Sequence, residues 1–187
     1  MHSSPILVIA GSLRPRRIAL QVADWVAEVG GETTPDAFEV VDLKDWPLPM
    51  DDEPGVPAAG EYEFEHTRAW SRKIAAAEAF VFVTPQYNWG YPAALKNALD
   101  HLYREWAGKP ALIVTYGGHG GDRCAEQLRQ VCEGLHMTPI IAGPGLRLPR
   151  TRIEANTGEI DPAGEFAAHR DDLRQSLGAL VAARRGT

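Results

Sequence analysis

Five short apolar segments recur along the chain, at residues 6–10, 38–41, 80–83, 111–114 and 139–142. The first, third and fourth are unbroken hydrophobic runs, the pattern of strands covered on both faces of a parallel sheet. The second alternates and the fifth is short, as suits edge strands. Between and after them, apolar residues fall three or four apart, which predicts helices. The sets are Ile18, Val22, Trp25, Val26 and Val29; Trp70, Ile74 and Ala77; Leu95, Ala98, Leu99, Leu102 and Trp106; Leu128, Val131 and Leu135; and Phe166, Leu173, Leu177 and Leu180. Five strand–helix units predict an α/β fold with a doubly wound five-stranded parallel sheet, in the strand order 2-1-3-4-5. Two stretches break the rhythm. Residues 46–60, with Pro47, Pro49, Pro54 and Pro57, read as a loop after strand two, and residues 143–164 as a Pro/Gly-rich loop before the last helix.

Composition narrows the class. A chain of 187 residues suits one domain, here residues 1–187, with enough apolar content (44%) for a sizeable core. The net charge of −6 is spread along the chain, without the basic stripe that a nucleic-acid surface requires. The first apolar run is too short for a signal-peptide core or a membrane span, so a cytoplasmic protein is expected. Cys124 and Cys132 make no disulfide framework; they share a stripe with Leu128, Val131 and Leu135 and read as small core hydrophobes. His66, His101, His119, His136 and His169 lack metal-ligand spacing, and no metal site is expected.

Three distinctive loops follow strands one, three and four, the strands that the proposed order places around the switch point where such sheets bind ligands. Gly11-Ser12-Leu13-Arg14-Pro15-Arg16-Arg17 precedes a helix. Cations oppose the dipole at a helix start, so three arginines there point to a bound anion such as phosphate. Thr84-Pro85-Gln86-Tyr87-Asn88-Trp89-Gly90-Tyr91-Pro92 puts aromatics beside amides, which suits a planar heteroaromatic ligand. Tyr116-Gly117-Gly118-His119-Gly120-Gly121 permits close backbone approach. No Walker loop, dinucleotide glycine fingerprint or nucleophile elbow is present.

These stretches, with residues 93–98 and 105–112, resemble the NADPH-dependent FMN reductase family of flavodoxin-like fold, and within it the fungal FMN-dependent NAD(P)H quinone reductases. The resemblance covers roughly residues 5–142. It implies that Ser12, Arg14, Arg17 and Ile18 hold the FMN phosphate. Pro85, Gln86, Tyr87, Asn88 and Trp89 would line the flavin ring, and Tyr116, Gly117, Gly118 and His119 would close its other side. It further implies NAD(P)H as electron donor and a quinone-like or flavin acceptor, with ping-pong turnover and no catalytic side chain. A homodimer is implied too, for which Leu99, Leu102, Tyr103 and Trp106 offer an aromatic-rich face. Arg17, Ala19 and Gln86 stand where many members carry Ser, Asn and Glu. Three other readings stay open: a flavodoxin-type electron carrier, an NAD-binding dehydrogenase with Asp42 as its ribose acid, and a cofactor-free interaction module.

Overall fold

A computed structural model describes residues 4–35, 37–50 and 52–184; the ends of the expected domain, residues 1–3 and 185–187, lie outside them. The elements in chain order are β1 (Ile6–Ala10), α1 (Ala19–Gly31), β2 (Phe38–Asp42), α2 (Glu65–Ala75), β3 (Ala79–Pro85), α3 (Ala93–Asp100), β4 (Ala111–Gly117), α4 (Asp122–Gly134), β5 (Ile140–Arg147), α5 (Arg150–Ala155), α6 (Pro162–Glu165) and α7 (Arg170–Arg184). The five strands are parallel in the order β2-β1-β3-β4-β5, which is the expected arrangement.

Strand alternation divides the core in two. Ile6, Val8 and Ala10 of β1 and Ala79, Val81 and Val83 of β3 point into a cluster completed by α1 and α7. Leu7 and Ile9, with Phe80 and Phe82, point to the other face, which α2, α3 and α4 cover. β1 and β3 therefore bury both faces, which explains their unbroken apolar runs. Cys124 and Cys132 are buried in α4, as their stripe predicts. Among the described residues no helix is long and apolar enough to cross a membrane.

Three expectations need correction. Helical spacing continues through Leu102 and Trp106, yet α3 ends at Asp100. The chain then turns, and the turn returns both side chains to the core, where the Trp106 indole N–H donates to Leu99 O at 3.1 Å. Leu99, Leu102 and Trp106 are thus interior residues and no face for a second subunit. The third correction concerns residues 143–164. The strand β5 runs on to Arg147, with a register irregularity opposite Ile113–Thr115. Glycine is needed there: a Cβ on Gly143 would lie 2.6 Å from Ile113 O. Pro144 is tolerated because β5 is an edge. Beyond it, α5 and α6 are short helices within what reads as loop.

The described residues of 46–60 do form a loop, with a short 3₁₀ turn at Pro57–Ala59. It is fastened to the helices beside it. Trp46 packs on Trp70 at 5.0 Å between ring centroids, Asn97 Nδ2 donates to Leu48 O at 3.0 Å, and Arg104 Nε donates to Ala58 O at 2.8 Å.

Candidate flavin site

Register brings the ends of β1, β3 and β4 level: Ala10 pairs with Val83, and Pro85 with Tyr116. The three loops therefore leave the sheet side by side, at its carboxyl edge. They border a cavity of about 270 Å³, near the lower limit of small-molecule sites, roughly 300 Å³.

The first loop contributes Arg14, Arg16, Arg17 and Ile18. The helix that follows begins at Ala19 with Ile18 as its N-cap, and has no side-chain cap and no acid in its first turn. Its first N–H groups are left open, the arrangement that receives an anion. Each arginine has a defined place. The Arg14 guanidinium lies 3.8 Å over the Tyr87 ring. Arg16 reaches Asn156 O at 3.5 Å. Arg17 forms an ion pair with Asp42 at the end of β2, and its buried Nε has no hydrogen-bond partner among the described residues. Asp42 also accepts from Lys44 N at 3.0 Å, so this acid is engaged within the protein. Ser12 is buried outside the cavity lining, where its hydroxyl and that of Tyr87 are 2.9 Å apart.

The second loop contributes Pro85, Gln86 and Tyr87. Gln86 Oε1 accepts from Cys124 N at 3.1 Å and so caps α4. That role needs only an acceptor, which a glutamate at this position also supplies. Tyr87 and Gly90 exchange backbone hydrogen bonds of 2.8 and 2.9 Å. Between them, Asn88 and Trp89 have φ of 49° and 72°, as in a type I′ turn. A bulky residue at positive φ is strained. The turn holds Trp89 outward, 59% exposed, beneath the Arg123 guanidinium at 3.8 Å. Asn88 and Trp89 stand beyond the cavity lining, at the turn that leaves it.

From the third loop come Tyr116, Gly117 and Gly118; His119 is exposed on the turn beyond them. Burial pushes the Tyr116 phenol far above its usual range, so it stays neutral. Gly120 and Gly121 adopt φ of 77° and 88°. A Cβ on Gly120 would lie 2.9 Å from Gly145 O, and one on Gly121 2.8 Å from Thr115 Cβ. Thr115 Oγ1 donates to Gly120 O at 2.7 Å and locks the turn onto β4.

A fourth wall carries no motif. Leu148, Arg152, Ile153 and residues 156–160 close the cavity opposite the sheet edge. Gln21 of α1 holds them: its Nε2 donates to Gly158 O at 3.0 Å and its Oε1 accepts from Ile160 N at 2.7 Å. Gly158, at φ 81°, leaves only 3.0 Å between a would-be Cβ and Arg16 Cα. The sole hint in the sequence is the turn-forming Asn156-Thr157-Gly158.

The residues fit FMN. Arginines surround an open helix start, an unsatisfied guanidinium N–H is buried among them, and beyond lies a cradle of glycine backbone and aromatic edges. No activated nucleophile lines the cavity. The nearby Cys124 thiol donates to Pro85 O at 3.6 Å, and burial pushes it up to about 12, as it does Cys132, so neither is a thiolate at neutral pH.

Comparison with known proteins agrees. The family model for NADPH-dependent FMN reductase matches residues 4–143. An NAD(P)H-dependent FMN reductase of Schizosaccharomyces pombe is 55% identical over 175 residues, covering 92% of this chain and 86% of that one. A quinone reductase of Pseudomonas putida is 30% identical over 186 residues, covering 94% and 90%. Among solved structures, the flavoenzyme NAD(P)H:(acceptor) oxidoreductase of Paracoccus denitrificans shares the fold, with a TM-score of 0.69, 19% identity and 98% of each chain covered. The chain is an oxidoreductase that belongs to the NADPH-dependent FMN reductase family, whose cofactor is FMN and whose electron donor is NAD(P)H.

Proposed function

We propose that residues 1–187 act as one FMN-binding domain that passes electrons from NAD(P)H to a quinone-like acceptor by ping-pong turnover, as a cytoplasmic homodimer. The observation that carries this reading is the convergence of three loops and the 148–160 wall on one cavity lined by arginines, two tyrosines and glycine backbone.

In this reading Arg14, Arg17 and the backbone N–H groups at Ile18 and Ala19 hold the phosphate. Ser12 acts through its hydrogen bond with Tyr87, which ties the phosphate loop to the ring loop. Pro85, Gln86 and Tyr87 face one side of the ring, and Tyr116, Gly117 and Gly118 the other, with His119 and Asn88 at the rim. Bound FMN supplies the two-electron chemistry that no side chain here performs. The chain's part is to orient donor and acceptor against it and to exclude competing contacts.

Trp89 sets the order of events. Its turn holds the indole outward, with Arg123 over one ring face, as a platform for one planar group, and the 148–160 wall borders the flavin cavity. Hydride transfer needs reacting atoms within about 3–3.5 Å, so a nicotinamide and a quinone cannot both stack there. NAD(P)H gives up a hydride and must leave as NAD(P)⁺ before the quinone enters. The quinone takes two electrons, that hydride's proton equivalent and a proton from solvent, and leaves as the hydroquinone.

The apolar face that supports a homodimer is not the α3 turn. It is the exposed pair Leu13 and Met50, which border one shallow apolar cavity with Trp46, Pro47 and Leu48. Initial rates over a grid of NADPH and benzoquinone concentrations test the proposal, with the mass read by light scattering on the same sample. Parallel double-reciprocal lines and a dimer mass are expected. Intersecting lines would overturn the shared platform, and a monomer mass at micromolar concentration would overturn the dimer.

A further inference from the structure

Away from the lining of the flavin cavity, three side chains far apart in sequence converge. Asp52 comes from the loop, His66 from the first turn of α2 and His101 from the C-cap just after α3. Their ligand atoms all lie within 4.8 Å of one another. His66 Nε2 is 3.0 and 3.2 Å from the two carboxylate oxygens of Asp52, and His101 Nε2 is 3.6 Å from one of them.

The hydrogen bonding of His101 decides what faces this space. Its Nδ1 lies 2.9 Å from Asn97 O. A carbonyl can only accept, so Nδ1 carries the proton, and in the neutral ring Nε2 presents a lone pair. The side chain is 4% exposed, and Nε2 has no hydrogen-bond partner among the described residues. A buried lone pair aimed at a carboxylate is unfavourable unless a cation, either a proton on that nitrogen or a metal ion, sits between them. A backbone carbonyl holding the far nitrogen is also what orients metal-ligating histidines.

The surroundings keep the three groups in place. The His66 ring stacks on Phe64 at 5.5 Å. Beside Asp52, Glu53 accepts from Glu63 N and Phe64 N at 2.9 and 3.1 Å, which fixes the loop and leaves Glu53 engaged. A cavity of about 230 Å³ bordered by Asp52 and His101 gives access from solvent. None of the three ligands lines the flavin cavity.

We propose that Asp52, His66 and His101 form a Zn²⁺ site that clasps the 46–60 loop onto α2 and α3. Two imidazole nitrogens and a carboxylate oxygen suit this ion, and water from the adjoining cavity completes four-coordination. Donors around tetrahedral zinc stand about 3.3 Å apart when the bonds are about 2.0 Å, so the cluster closes around the ion with small side-chain movements. The role is structural, since the ion would lie outside the flavin cavity.

The test uses untagged, FMN-loaded full-length protein stripped with a chelator, titrated with Zn²⁺ against a chromophoric competitor. One zinc per chain is expected, with a dissociation constant at or below about 10 µM, together with a zinc-dependent rise in melting temperature. His66→Ala and Asp52→Asn alter partly exposed side chains outside the flavin cavity and should leave flavin content unchanged. Each should weaken zinc by tenfold or more and abolish the rise in melting temperature. Absence of a stoichiometric site in the parent protein, or unchanged affinity in both variants, would overturn the proposal. Flavin content is read on the same samples, so this outcome is separate from any failure of the flavin assignment.

Discussion

Arg17→Ala should lower stability by about 3–5 kcal/mol, because it leaves Asp42 as a buried charge without its counterion. The two side chains are only 11% and 9% exposed, so solvent compensates little. The same substitution should weaken FMN by roughly ten- to hundredfold, the value of one charge-assisted hydrogen bond at about 1.5–3 kcal/mol, while riboflavin affinity holds. The two effects have different causes and can be separated. In the double variant Arg17→Ala/Asp42→Asn no buried charge is stranded, so most of the lost stability should return. The FMN deficit should remain, because the N–H aimed at the phosphate is still missing. Denaturant unfolding of the apoproteins and flavin titrations measure both. Recovery of FMN affinity in the double variant would show that Arg17 serves the fold alone.

Gly121→Ala should be nearly as damaging, at roughly 2–5 kcal/mol. The residue would adopt φ 88° with its Cβ 2.8 Å from Thr115 Cβ, which adds backbone strain to overpacking. The turn it holds also positions Gly117 and Gly118, so flavin retention should fall with stability. Gly178→Ala is the control. It sits exposed within α7 with nothing within 4 Å of a new Cβ, and should raise stability by about 0.5–1 kcal/mol. Thermal melts of both variants decide the matter; equal changes of one sign would refute the assignment of Gly121 to a strained close approach.

The contrast between these glycines marks what a sequence can disclose. Clustered Gly117-Gly118 and Gly120-Gly121 signal close backbone approach, and the structure supplies the neighbours, Thr115 and Gly145. Strands β1, β3 and β4 are legible because burial on both faces makes them apolar over four or more successive residues, with the buried threonines Thr84 and Thr115 only towards the ends of β3 and β4. The end of β5 is not, because Gly143-Pro144-Gly145 has the composition of a turn while serving an edge strand against β4. Leu102 and Trp106 keep helical spacing although the helix stops at Asp100, since a turn can return side chains to the same core. Of the expected flavin residues, Arg14, Arg17, Ile18, Pro85, Gln86, Tyr87, Tyr116, Gly117 and Gly118 line the cavity, while Ser12, Asn88, Trp89 and His119, on the same loops, do not. The 148–160 wall carries no periodicity, being exposed chain held by Gln21. The grouping of Asp52, His66 and His101 depends on how the loop folds over α2 and α3, so residue spacing conceals it.

The arginine-lined helix start is expected to recognise the phosphate of FMN. Equilibrium titration of the apoprotein with FMN, riboflavin and FAD, followed by flavin fluorescence, tests it most directly. FMN should bind at least about tenfold more tightly than riboflavin, as one charge-assisted hydrogen bond requires, and more tightly than FAD; equal affinity for riboflavin, or preference for FAD, would contradict it.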